Sequence, residues 1–232
     1  MKKIAVVTGG GSGLGYCLSM ELLKQGIDVI IIGRQENKLC ETQKRLCKNW
    51  GDKIHYVVGD ISDESFVTKL YSNLVNDGYY VQYLFNCAGT GRFGPAEENN
   101  RKMIDIAFEA SLIGLILMSS KVIKFMKEDG GTIVNIMSTA ALKGNPNESV
   151  YCAAKWGARG FTEAIKAATK GTNIKVLGVY PGGMNTDFWS SECGMSPDVT
   201  KFMNPEEVAE EIVHAVLEKK SMYVSDLTID RR

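Results

Sequence analysis

The 232-residue sequence has no excess of either charge: Lys+Arg and Asp+Glu are both 27, and the pI is about 6.7. No basic field is available to gather nucleic acid or an anionic membrane surface, so neither is expected as a partner. Histidine is scarce, with only His55 and His214, and the six cysteines (Cys17, Cys40, Cys47, Cys87, Cys152, Cys193) show no CxxC spacing. No metal site is expected from this set, and the thiols read as reduced and mostly structural. Long hydrophobic runs are missing as well. After the initial MKK, the apolar run stops after four residues at Thr8-Gly9-Gly10. That is too short for a secretory core, and no stretch approaches the ~20 apolar residues of a membrane span. These absences together predict a cytoplasmic protein. No linker, repeat or low-complexity segment divides the chain, which predicts one domain over 1–232.

Hydrophobic residues make up 44% of the chain and charged residues 23%, enough for a substantial core. Short β-branched runs at 3–8, 28–33, 54–59, 81–86, 131–138 and 174–180 read as strands. They are apolar almost throughout rather than alternating, as strands buried on both faces must be. Helical patterns fall between them at about 14–26, 37–50, 62–77, 100–128 and 149–170. A last helix is expected over 204–219, with Asn204 as N-cap and Pro205 at the first helical position. This alternation predicts right-handed βαβ units: an α/β, doubly wound parallel sheet with helices on both faces. The segment 187–203 breaks the pattern by mixing Ser, Asp and Gly with Phe188, Trp189, Met195 and Phe202. It reads either as a loop whose aromatics pack on the core or as a lid over a ligand. "MYVSDLTID" near the C-terminus reads as an edge strand, running on towards Arg232, that could pair with another subunit.

The first strand runs into TGGGSGLG, residues 8–15, and then into a helix. Glycines there permit a tight turn and let backbone N–H groups approach an anion at a helix N-terminus. A strand before and a helix after are the context that makes such a string a dinucleotide site. At the end of the second strand, where NAD-binding sheets carry an acid for the ribose 2′-hydroxyl, this chain has Gly33-Arg34. Asp28 lies too early to replace that acid. A guanidinium suits a phosphate, which favours NADP(H) over NAD(H), although a merely solvated arginine has the same signature. Further on, Tyr151 stands four residues before Lys155, one helical turn apart. That spacing alone leaves open whether the two are a surface pair or a lysine tuning a phenol.

Taken together these residues resemble the short-chain dehydrogenases/reductases over essentially the whole chain. The family's TGxxxGxG is met by Thr8, Gly9, Gly13 and Gly15, with Ser12 and Leu14 inside the turn. Its aspartate after the third strand matches Asp60, followed by Ile61, and its NNAG appears as Asn86-Cys87-Ala88-Gly89. The serine thirteen residues before YxxxK is Ser138, and the PG motif is Pro181-Gly182, with Thr186 beyond it. The resemblance implies a Rossmann fold and hydride transfer between a nicotinamide cofactor and a small carbonyl or alcohol. It implies Tyr151 as proton donor or acceptor, its pKa lowered toward neutrality by Lys155, which also binds the nicotinamide ribose. Ser138 then binds the substrate oxygen. It further implies cofactor contacts along all the motifs above and a homodimer or homotetramer built on the two long helices. One departure is visible: the family's asparagine in the helix before the fifth strand is replaced by Ser111 in "ASLIGL". Met184, Phe188 and Trp189 point to an apolar or aromatic substrate. A regulatory nucleotide-binding protein of the same fold is the competing expectation.

Overall fold

The apolar runs become seven strands of one sheet in the computed structural model, which describes residues 1–190, 193–217 and 222–231. The strands are β1 (Lys2–Thr8), β2 (Asp28–Gly33), β3 (Ile54–Val58), β4 (Tyr79–Asn86), β5 (Gly131–Ile136), β6 (Ile174–Pro181) and β7 (Asp226–Ile229). Their order is β3-β2-β1-β4-β5-β6-β7, and every pairing is parallel. Successive side chains of a strand point to opposite faces, so one uninterrupted apolar run feeds two cores. Ala5, Val7, Val29, Ile31, Phe85 and Val134 join Leu18, Leu22 and Ile212 on one face. Ile4, Val6, Ile30, Ile32 and Leu84 join Leu70, Met118 and Val122 on the other. The helices that supply these partners are α1 (Gly13–Lys24), α2 (Glu36–Trp50) and α7 (Pro205–Val216) on the first face. On the second are α3 (Glu64–Asn76), α5 (Gly114–Phe125) and α6 (Ser149–Ala168).

Two expectations need correction. The helix predicted at 100–128 is divided into α4 (Arg101–Phe108), a π-helical turn over Glu109–Ile113, and α5. At the join, a side chain on Gly114 would collide with Ile61, so the chain approaches closely there and takes up an extra residue in the turn. Secondly, Arg101–Phe125 is long and apolar enough to cross a membrane by length and composition, with 39% of its most apolar window buried. Here it lies across the sheet, with Met118 and Val122 in the core, while Ile104 and Ile113 remain exposed. The last strand stands at one edge of the sheet, as expected. It pairs with β6 of its own sheet from Gly178↔Asp226 to Pro181↔Ile229. Lys166 of α6 fixes it by holding both oxygens of Asp226 at 2.7 and 2.8 Å.

Asn204 caps α7 as predicted, accepting from the Glu206 N–H at 2.9 Å. The helix stops at Val216, with Leu217 extended. Glu218 and Lys219, predicted to end it, lie outside the described residues, as do Ser191 and Glu192 of the 187–203 segment and Arg232 of the last strand.

Candidate active site

The strand order reverses between β1 and β4, so the loops that follow these strands part and leave a crevice at the sheet's C-terminal edge. The crevice is a cleft of about 1070 Å³. Its floor on one side is the glycine turn. Gly9 has φ +69°, and a side chain there would stand 2.9 Å from the Ala88 Cα; one on Gly15 would collide with the Gly9 carbonyl. The turn thus needs glycine both for its backbone conformation and for close approach. The α1 N-terminus that follows has no side-chain cap from Ser12 and no acidic residue in its first turn, so its N–H groups favour an external anion.

Sixteen of the catalytic and cofactor positions singled out by sequence border this cleft. They are Gly9, Ser12, Gly13, Leu14, Gly15, Arg34, Asp60, Ile61, Ala88, Gly89, Ser138, Tyr151, Lys155, Pro181, Gly182 and Thr186. Thr8, Asn86 and Ser111 do not. Thr8 is fully buried, and its hydroxyl accepts from the Cys87 and Ala88 N–H groups at 3.0 Å each. Asn86 donates to Ser119 at 2.9 Å and to Asn135 at 2.8 Å, and Asn135 donates to Thr162 at 2.9 Å. Both residues brace the loops that border the cleft from behind. Ser111 sits in the π-helical turn and donates to the Thr90 carbonyl at 3.4 Å. A methyl on Gly89 would lie 3.4 Å from both the Ser111 hydroxyl and the Lys155 ammonium, so these two groups flank one small gap.

Tyr151 and Lys155 lie on the first turns of α6, and both are buried. Ser138 follows β5, where its hydroxyl accepts from Ala140 N–H at 3.1 Å and hydrogen-bonds the Tyr151 phenol. The Lys155 Nζ donates to the Ile136 carbonyl at 3.1 Å and stands 5.7 Å from the centre of the tyrosine ring. The electrostatics reverse the sequence expectation. Burial pushes the Tyr151 phenol well above its ordinary range, the Ser138 hydrogen bond pulling it only partly back. Burial also lowers Lys155 to about 8. Spacing locates the pair correctly, but desolvation outweighs their mutual influence: the phenol stays neutral, and Lys155 is shifted toward its neutral form while remaining mostly charged at pH 7.

Arg34 points from the end of β2 over the cleft rim, with Lys38 of α2 beside the same opening. The Asp60 carboxylate, from the loop after β3, comes to 3.7 Å from the Arg34 guanidinium. The missing acid of β2 is thereby partly replaced from the neighbouring strand. The other Asp60 oxygen is taken by the Ser62 N–H and hydroxyl at 2.9 and 2.7 Å.

The opposite wall holds what sequence reading missed. Phe188 and Trp189 do pack down, as one of the two readings of 187–203 has it, but against Phe93 and Tyr151, apart from the two sheet cores, where they line the cleft. Behind them stands Phe93, edge-on to Tyr151 with ring centres 5.4 Å apart. In sequence it is one isolated aromatic in "TGRFG", with no periodicity to mark it. Arg231, also bordering the cleft, lies 5.4 Å over the Phe202 ring.

Comparison with known proteins gives the same picture. The family model described as short chain dehydrogenase matches residues 3–194. A sepiapterin reductase of Chlorobaculum tepidum is 26% identical, over 99% of this chain and 96% of its own length. A short-chain dehydrogenase/reductase from Vibrio parahaemolyticus superposes with a TM-score of 0.87 at 33% identity, over 99% of this chain and 97% of that one. An actinorhodin polyketide ketoreductase structure with NADPH has a TM-score of 0.87 at 26% identity, covering 99% and 95% of the two chains.

Proposed function

The chain belongs to the short-chain dehydrogenase/reductase family, and from that premise we propose that it is an NADP(H)-dependent reductase of small carbonyl compounds. The observation that carries this reading is the convergence of Ser138, Tyr151 and Lys155 at one end of a cleft whose other end is the glycine turn. The residues present fit a nicotinamide dinucleotide. Gly9 and Gly15 let the turn close tightly against Ala88 and its own backbone ahead of α1, and the uncapped α1 terminus suits a pyrophosphate. Arg34 and Lys38 suit a 2′-phosphate, sharing that region with Asp60.

When bound, such a cofactor supplies the hydride. Ser138 orients the carbonyl oxygen of the substrate, and Tyr151 protonates it. A phenol held in its neutral form by burial suits the donor role, which favours the reductive direction. Lys155 sits where it can return a proton to the phenol or bind the ribose hydroxyls, with Ser111 across the gap beside Gly89. Ala88, Gly89, Ile61, Pro181, Gly182 and Thr186 complete the proposed cofactor contacts. Phe188, Trp189, Met184 and Met195 along the substrate wall favour an apolar or aromatic carbonyl, covered by the 187–203 segment.

We further propose that the chain acts as a single domain and assembles as a homodimer or homotetramer. Support for assembly is the exposure of the large apolar side chains Ile104, Ile113 and Trp156 on the helical segments 101–125 and 149–168. Six free cysteines fit a reducing, cytoplasmic setting. The test is NADPH oxidation with a panel of ketones and aldehydes. Reduction of one or more of them supports the reading. Tight NADPH binding with no turnover on any carbonyl replaces it with a regulatory nucleotide-binding role.

A further inference from the structure

Phe93 does not border the cleft, yet its ring touches three residues that do. It stands edge-on to Tyr151, at 84° between ring planes. It stacks on Trp189 with centres 5.7 Å apart and tilts against Phe188 at 6.0 Å. With Ala140, Cys152 and Cys193 these aromatics form a cluster separate from the two cores on the sheet faces. Phe93 therefore does not help to cover the sheet. Its partners are the proton donor and the substrate wall.

The backbone around it is fixed from both sides. The Phe93 N–H donates to the Cys193 carbonyl at 2.7 Å, and the Gly94 N–H donates to the Asn147 carbonyl at 2.8 Å. Gly194 has φ +84°, and a side chain there would collide with the Phe93 carbonyl. Asn147, at φ +61°, is the one non-glycine residue in the left-handed region among the described residues. The loops after β4, β5 and β6 thus meet at a single residue, each with its own contact to it or to its neighbour. Left-handed conformations are held on two of those loops where they meet it.

We propose that Phe93 is a positioning residue: it fixes the Tyr151 ring and the Phe188–Trp189 wall in one arrangement, and so sets how a carbonyl is held against the proton donor. The inference rests on the proposed function for its catalytic consequence, though not for the mechanical one.

The sequence contains three tryptophans, so Trp50→Phe with Trp156→Phe leaves Trp189 as the single fluorescent reporter; neither replaced residue borders the cleft. In that background Phe93→Ala should raise acrylamide quenching of Trp189. Turnover on a small aryl ketone should fall about 10²-fold, the effect of misplacing a reacting group by about 1 Å, while NADPH affinity holds. Phe93→Leu, which refills most of the volume, should recover most of both. If Phe93→Ala does not fold, Phe93→Leu shows the same changes in smaller measure. A folded Phe93→Ala with wild-type quenching and turnover overturns the proposal, as does a Phe93→Leu of wild-type behaviour where the alanine variant is unfolded. Equal losses of turnover and NADPH affinity also overturn it, because that pattern marks general structural damage. Should the wild type bind NADPH yet reduce no carbonyl, the proposed function fails instead, and quenching alone decides the role of Phe93.

Discussion

The two halves of the cleft are built in different ways. On the side of β1, β2 and β3, backbone shapes the site: Gly9 and Gly15 leave no space for side chains, and the α1 N–H groups face the opening. On the side of β4, β5 and β6, side chains shape it, through Phe93, Tyr151, Phe188 and Trp189 in mutual ring contact. A backbone cradle accepts one ligand geometry and leaves a strong sequence trace, because only glycine meets its steric demands. An aromatic wall can be assembled from many sequences, and its effect is collective. The first half suits a cofactor of fixed structure; the second suits a substrate that differs from one relative to the next.

If the halves are separable, a change in one should spare the other. The largest expected effect is that of Tyr151→Phe, which removes only the proton-bearing oxygen. Turnover should fall by about 10²–10⁴, the usual contribution of a positioned acid–base group, with NADPH affinity unchanged. Steady-state rates and a cofactor titration measure this, and near-full activity would remove Tyr151 from the mechanism.

Lys155 tests the boundary between the halves through stability. Its folded-state pKa of about 8 lies below the ordinary 10.5, so the folded protein bears the cost of a buried charge at neutral pH. That cost disappears as pH rises from about 8 toward 10.5, where the unfolded lysine is still protonated and the folded one is not. Lys155→Met should therefore be the more stable protein at pH 7, by up to about 3 kcal/mol, and lose that advantage as the pH climbs through this window. Thermal melts of both proteins across it provide the check. A gap that does not change with pH would mean that the lysine is not desolvated.

Arg34→Ala sharpens the comparison from the cofactor side. The preference for NADPH over NADH should drop roughly tenfold, about 1.5 kcal/mol for one charge-assisted contact, without altering kcat. Competition from Asp60 at 3.7 Å places this at the lower end of the usual range. Unchanged affinity ratios would assign the 2′-phosphate to Lys38 instead.

The smallest effect belongs to Ser111, which flanks the small gap beside Gly89 opposite Lys155. Ser111→Ala should cost less than about tenfold in turnover, because a single neutral hydrogen bond is at stake. Ser111→Asn should be neutral or mildly activating. A loss as large as that of Tyr151→Phe would give the hydroxyl a direct part in proton transfer.

Sequence revealed most of the fold because strands buried on both faces are apolar without interruption, and six of the seven ranges were readable on that basis. The seventh, β7, was seen but not its partner, since four residues give no register. The π-helical turn at Glu109–Ile113 was hidden because one extra residue scarcely disturbs an apolar helical pattern. In the site, motifs found the residues that border the cleft, but they do not separate these from Thr8 and Asn86, whose side chains bond within the wall behind it. The direction of the Tyr151 shift could not be read from a four-residue spacing. Spacing gives a distance between two groups and says nothing of how much water each has lost. Phe93 left no trace because its importance lies in three loops distant in sequence.

The Thr8 hydroxyl has a consequence for the order of assembly. It closes the glycine turn by accepting N–H groups 79 and 80 residues further along the chain. Contacts of such sequence separation form late, after the entropy of a long loop has been overcome. A nascent chain ending before Ala88 already contains every glycine of the cradle but not the segment that closes it. Dinucleotide affinity should therefore be acquired in one step during synthesis, when β4 docks beside β1, rather than grow gradually from the N-terminus.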